Sequence, residues 1–287
     1  SFPTRRSSDL AGLFVLPKAA AREQREPMDI LGSVLFALFV LLLLLGVKGI
    51  DFTELPASAL QMSIWVPLLA ALVVALLFRH VERRAADPVF HLEYFSSQPI
   101  RVTMLVSFFI GCFIISLVLV PELAEFAMDE PLGSGGYYVL AIGMMSFVTT
   151  PIAGKLIDRT GPKPVLMSGL AISIASLLFL SLVAVAAPSF PTFIAGLVGV
   201  GAGMGLSMGA PTNYMILENT SAEDSTSAIA TITLIRQIGT SLAPALFVGL
   251  IGVHPSLTGY QHMLLAVALF SALAFVAMLR YHSPKKA

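Results

Sequence analysis

Arg236 is the residue whose type and setting ask most of its surroundings. It is the one basic residue well inside a long apolar segment, residues 226 to 252. About ten residues into a helix it would sit roughly 15 Å deep. In hydrocarbon that costs at least about 2.5 to 3.5 kcal/mol, so the side chain should face protein and have a partner. Two roles fit: glue between helices, or charge coupling beside a transport path, with Gln237 next to it as a companion. The second chemistry-bearing set is Glu122 and Glu125, just after Pro121. If a helix continues through the proline to Met128, the two acids share a face and could hold a proton or a cationic ligand. If it stops at Pro121, both lie in a solvated loop with Asp129 and Glu130.

Other chemistries are poorly served. The single cysteine, Cys112, lies in an apolar run, so neither a disulfide framework nor a cysteine metal site is available. Gly205-Leu206-Ser207-Met208-Gly209 spells a nucleophile elbow, and the surrounding glycines imitate a dinucleotide loop. Both motifs need a strand leading into a turn and helix, whereas these residues fall in or at the end of an apolar helix. The five histidines form no recognisable triad. We therefore expect no enzyme, no organic cofactor, no metal and no nucleic-acid partner.

The elements that must position Arg236 and the two glutamates are membrane helices. Of 287 residues, 56% are hydrophobic and 12% charged, and mean hydropathy is +0.87. A hydrocarbon layer needs about 20 mainly apolar residues per helix. Eight such segments occur, at 29 to 47, 61 to 79, 101 to 128, 136 to 154, 164 to 187, 191 to 211, 226 to 252 and 262 to 280. Runs such as Leu41 to Leu45 and Leu177 to Ala187 are continuous rather than alternating, which excludes barrel strands. The expected fold class is an all-α, polytopic helical bundle in a lipid bilayer.

Charge orients it. Lys18, Arg22 and Arg25, then Arg79, Arg83, Arg84 and Arg101, then Lys155, Arg159 and Lys163, and finally Arg280, Lys285 and Lys286 occupy one set of connections. The other set holds Lys48 with Asp51, Glu54, Asp129 and Glu130. The positive set belongs on the cytoplasmic side, which places the C-terminus there. The connection from Asn213 to Ser225 is placed by counting spans, since it holds only acids: Glu218, Glu223 and Asp224.

Residues 1 to 10 read as the translation of a common sequencing adapter and are expected to be an assembly scar, interrupting a longer natural chain. Residues 11 to 28 then form the tail of an absent helix and a cytoplasmic linker. Residues 29 to 79 hold a pair of helices, 80 to 100 a cytoplasmic connection with Pro88 and Pro99, 101 to 280 a six-helix unit of two groups of three, and 281 to 287 a tail.

Two glycine patterns complete the reading. Gly199, Gly203 and the series Gly201, Gly205, Gly209 put two seams on the sixth span, suited to close packing or sliding. The string Gly154-Lys155-Leu156-Ile157-Asp158-Arg159-Thr160-Gly161-Pro162-Lys163 lies between spans four and five. Gly154 would let helices approach, Gly161 and Pro162 would make a tight turn, and Arg159 and Lys163 could pair with carboxylates of a neighbouring bundle or with lipid phosphates. An ordinary basic loop is the simpler alternative.

This string resembles the G-x-L-x-D-R-x-G-x-K signature of the major facilitator superfamily, on Gly154, Leu156, Asp158, Arg159, Gly161 and Lys163. Ile235-Arg236-Gln237-Ile238-Gly239-Thr240-Ser241 resembles the Arg-Gln-x-Gly segment of the fourteen-helix drug:proton antiporter-2 family, the EmrB/QacA type. Ala243 replaces a glycine common there, and Pro244 follows. The resemblance implies that the first two spans are linker helices and the last six the C-terminal half of a bacterial inner-membrane exporter. It also implies alternating access, protons as the coupling ion, small amphipathic or cationic substrates, and an N-terminal half outside this sequence. A carrier for a metabolite is the nearest rival, and a non-transporting membrane sensor or assembly protein the second.

Overall fold

The computed structural model describes residues 29–52, 55, 61–84, 92–114, 116–131, 133–208, 210–221, 224–252 and 255–282. The expectations for residues 1–28, for Gly209 and for the tail from 283 lie outside them. Among the described residues, eight helical spans are long and apolar enough to cross a membrane.

The first two are α1, Ile30–Lys48, and α2, Met62–Glu82. Asp29 caps α1 by accepting the Gly32 N–H at 2.7 Å, as a short acid at a helix start should. The two helices pack on each other where Gly46 meets Leu68 and the Ile64 carbonyl. Only 11% of either span is buried, against 67% of the third, so this pair leaves most of its surface for something outside the chain. The end of α1 leans on the helices that follow through Phe52, whose N–H donates to the Gly249 carbonyl at 3.3 Å.

The third span comprises α3, Gln98–Ile114, and α4, Ser116–Met128. The helix does not stop at Pro121; it runs on to Met128. Pro121 lacks the N–H that would bond the carbonyl of residue 117, so one helical hydrogen bond is missing there. There follow α5, Gly136–Thr160, and α6, Pro162–Phe179, which widens into a π-helical turn over Leu180–Ala184. Next come α7, Phe190–Ser207, α8, Ala210–Leu217, α9, Ser225–Ile251, and α10, Leu257–Leu279.

Three boundaries differ from the sequence expectation. The connection between spans four and five is not a nine-residue loop, because α5 stays helical to Thr160 and the turn is Gly161 alone, at φ 84°. A left-handed φ suits glycine, and Pro162 starts α6 with a φ already helical. The expected loop from Asn213 is helical to Leu217. The last helix starts at Leu257, five residues early, capped by Ser256 Oγ accepting from Gly259 N at 3.0 Å.

Close backbone approach ties the spans together. A Cβ built on Gly111 of α3 would overlap the Arg236 carbonyl of α9, and one on Gly239 would overlap the Phe108 carbonyl. The helices thus cross glycine to backbone in both directions. On α7 the seams face two ways: Gly201 and Gly205 lie against Ile142, Ser146 and Thr149 of α5, while Gly199 and Gly203 lie against Gly169, Ser173 and Ser176 of α6. Around these seams Phe113, Leu123, Phe193, Phe247 and Tyr260 build the main apolar core.

Gly111→Ala and Gly239→Ala should each destabilise the purified protein by about 1 to 3 kcal/mol, since backbone cannot move aside as a side chain can. Gly143→Ala, with nothing within 4 Å of its added carbon, should be neutral or gain up to about 1 kcal/mol from helix propensity. Melting midpoints in detergent read the difference, and a Gly111→Ala protein melting with the wild type would refute the crossing.

Candidate functional site

Arg236 sits at the α3/α9 crossing with its backbone held and its side chain poorly matched. Its carbonyl faces Gly111 and accepts from Thr240 Oγ1 at 3.1 Å, a hydroxyl that also reaches the Gly111 carbonyl at 3.3 Å. The guanidinium is half-buried. Its one hydrogen bond among the described residues goes to Thr233 Oγ1 at 3.5 Å, the outer limit for such a bond. The expected partner inside the bundle is therefore not found among the described residues. The reason lies in the helix face: Thr226, Ala230, Thr233 and Gln237, at helical spacing, are all exposed, and Arg236 borders them. Polar groups on the open side of a membrane helix are unsuited to lipid tails.

The two glutamates are separated in use. Glu125 Oε1 accepts from the N–H groups of Gly133 at 2.8 Å and Gly135 at 2.9 Å, which clasps the turn leading into α5. Glu130 continues that clasp, accepting from Tyr138 Oη at 2.8 Å and Ser134 Oγ at 3.0 Å. Gly135 fits there because its missing Cβ would strike the Pro121 carbonyl. Glu122 is exposed instead and lies beside the Tyr260 hydroxyl, which is buried and lacks hydrogen-bond geometry to any described group. The acids thus do not form a paired carboxylate site; Glu122 keeps an open side and Glu125 shapes the chain.

The string from Gly154 to Lys163 divides similarly. Nothing among the described residues lies within 4 Å of a Cβ at Gly154, so the close helix approach expected there is not made by them. Leu156, Asp158 and Arg159 are exposed on the last turns of α5. Lys163 turns inward: its Nζ donates to the Tyr281 carbonyl at 2.7 Å. The Tyr281 ring is fully buried among Leu166, Leu170, Met215 and Met278, and its hydroxyl accepts from Asn219 Nδ2 at 3.0 Å. One residue thereby joins the start of α6, the end of α8 and the end of α10. Sequence reading missed Tyr281, whose only signal is a lone aromatic just past the last span. It also missed Gly111, a single glycine without a repeat. The described glycines of the α7 seams, Gly199, Gly201, Gly203 and Gly205, are filled by neighbours and leave no groove.

The profile of the family described as Major Facilitator Superfamily matches residues 102–287. Among curated proteins, the chain is 27% identical over 237 residues to an uncharacterized MFS-type transporter, YfiU, of Bacillus subtilis, covering 79% of this chain and 44% of that protein. It is 25% identical to a Multidrug resistance protein B homolog of Mycobacterium tuberculosis, over 77% of this chain and 41% of the relative. It is also 25% identical to the Riboflavin transporter RibZ of Clostridioides difficile, over 82% and 49%. The chain thus spans less than half the length of these relatives.

Tyr281→Ala should open the joint it makes, since emptying the site of a fully buried aromatic ring costs about 3 to 5 kcal/mol. Tyr281→Phe, losing one hydroxyl bond, should cost about 1 kcal/mol. Hydrogen exchange over 214–221 and 276–282 should accelerate strongly in the first and slightly in the second. Equal exchange in Tyr281→Ala and wild type would mean the ring anchors nothing.

Proposed function

The chain belongs to the Major Facilitator Superfamily, and from that premise we propose that it is part of a proton-coupled exporter of small amphipathic or cationic compounds, of the fourteen-helix drug:proton antiporter-2 type. In that reading α1 and α2 are the linker pair, and α3 to α10 the C-terminal half of an inner-membrane transporter with a cytoplasmic C-terminus. The chain is a multi-pass membrane protein of a transporter family. The observation that carries the finer reading is the exposed polar stripe on α9, Thr226, Thr233 and Gln237 with Arg236 at its edge, on a helix otherwise apolar enough to span. Such a stripe suits a wall shared with another six-helix half and a wet substrate path, and the relatives' greater length leaves room for that half.

Arg236 would supply fixed positive charge to that path. A carboxylate of the opposite half pairs with it when ionised and releases it when protonated, so proton influx is linked to rearrangement of the two halves. Its guanidinium, held in place by a backbone locked at Gly111, remains charged throughout. Glu122, open on the outer side, offers a cation its last contact on the way out, whereas Glu125 serves the fold. The name of the tuberculosis relative supports a drug as substrate, and the name of the Clostridioides difficile relative supports a second reading, a carrier of a planar metabolite.

In the full-length protein in proteoliposomes, an imposed proton gradient should drive efflux of a cationic dye, and Arg236→Ala should lower the rate at least about tenfold, an effect of roughly 1.4 kcal/mol or more. Arg236→Lys should restore part of it, and membrane insertion should be unchanged in both. Unaltered efflux in Arg236→Ala would remove this residue from the mechanism, and uptake of riboflavin without dye movement would favour the second reading.

A further inference from the structure

We infer that the basic end of α2 binds the phosphate headgroup of an anionic phospholipid whose acyl chains lie along the outer face of the same helix. Leu76, Arg79, His80 and Arg83 line an open cavity of about 260 Å³. The three basic side chains are exposed, and among the described residues no hydrogen bond or ion pair engages them. Spacing puts them on one face with Leu76, Leu72, Leu69 and Trp65, at steps of three and four residues. Those four are also exposed, Leu69 and Leu76 at 59%, Leu72 at 57% and Trp65 at 50%.

Among the described residues no acid neutralises the charge on this face. Glu82, the acid nearest in sequence, is 3% exposed and points to the other side of the helix, with its Oε2 3.0 Å from where a Gly32 Cβ would lie. Two guanidiniums one turn apart can grip a phosphate with paired, charge-assisted hydrogen bonds, and an imidazole N–H adds a third donor. Height fits as well. At 21 residues α2 is about 31 Å long, close to the thickness of the hydrocarbon layer, so its last turn emerges at headgroup level.

A lipid accounts for more of this face than a soluble anion does. Leu76 both lines the cavity and belongs to the exposed apolar stripe of Leu72, Leu69 and Trp65, to which a free phosphate offers nothing and an acyl chain offers contact along its length. The linker pair is also the part of the chain with least internal burial. A headgroup clamped at its basic end therefore supplies a fixed point that protein packing does not. The inference needs only that α2 spans a membrane and is independent of what the protein transports.

The test is native mass spectrometry of the full-length protein in mild detergent, offered phosphatidylglycerol or phosphatidylcholine. Wild type should retain phosphatidylglycerol with at least about fivefold preference, and the Arg79→Gln/Arg83→Gln protein should fall to near parity, as removal of basic headgroup contacts requires. Arg84→Gln, outside the cavity, should keep the preference. Because the double variant can fail to insert, a photo-crosslinking phosphatidylglycerol on unmodified protein gives a second readout, with adducts expected between residues 69 and 83. Equal retention of both lipids, an unchanged preference in a folded double variant, adducts elsewhere, or displacement of the lipid by millimolar inorganic phosphate would each overturn the proposal.

Discussion

Lipid tails are as apolar as leucine, so helices in a bilayer gain little from hiding side chains and must be held by how closely their backbones meet. In this chain that constraint is concentrated at the crossing of α3 and α9, where Gly111 faces the Arg236 carbonyl and Gly239 faces the Phe108 carbonyl. The contact fixes more than a distance. With two glycines interlocked, α9 cannot rotate about its axis, so its polar face of Thr226, Thr233 and Gln237 is held outward. The same orientation turns Gly249, about 15 Å further along at helical rise, toward Ile50 and Phe52 at the end of α1. One crossing thus sets both the chemical face of the six-helix cluster and the place where α1 and α2 lean on it.

The remaining joints divide into stiff and releasable kinds. Along α7, Gly199, Gly201, Gly203 and Gly205 alternate between α6 and α5, and the overlaps a Cβ would make there are with backbone or with short hydroxyl side chains. Such contacts hold three helices as one slab. At the ends, polar bonds take over. Ser181 and Gln261 exchange hydrogen bonds at 3.2 Å where the end of α6 meets the start of α10, and Lys163 reaches the Tyr281 carbonyl at the other end. A hydrogen bond near water is worth about 1 kcal/mol and can be swapped for water, whereas a backbone overlap has no substitute. Rearrangement in such a design would loosen ends and leave the slab whole.

What was legible in the sequence follows from the same physics. Eight spans were visible because a bilayer demands long unbroken apolar runs, and the structure has all eight. Their ends were not visible where a helix outlasts the membrane. Lys155, Asp158 and Arg159 look like loop residues because they are charged, yet they extend α5 into the water layer until Gly161 turns the chain. The last helix was started too late because Thr258, Tyr260 and Gln261 read as polar, though Tyr260 is fully buried. The α7 seams announced themselves by repetition, while Gly111 did not. A single glycine is ambiguous until the partner backbone is seen.

Charge shows the same limit from the other side. Glu122, Glu125, Lys163 and Arg236 were marked by type, but type does not tell which charges the fold itself consumes. Glu125 binds two backbone N–H groups and Lys163 a carbonyl, so both are spent on shaping the chain. Among the described residues Arg236 keeps only a long side-chain bond, to Thr233, and Glu122 stands open beside a buried hydroxyl. A fold that satisfies some of its costly charges and leaves others at its surface has put the unsatisfied ones where another body must meet them. In a bilayer that body cannot be the hydrocarbon, because the cost of several kcal/mol for a guanidinium at such depth would select against keeping it there. The open charge on α9 is therefore best understood as half of an interaction whose other half comes from a protein surface, a substrate or the water between them.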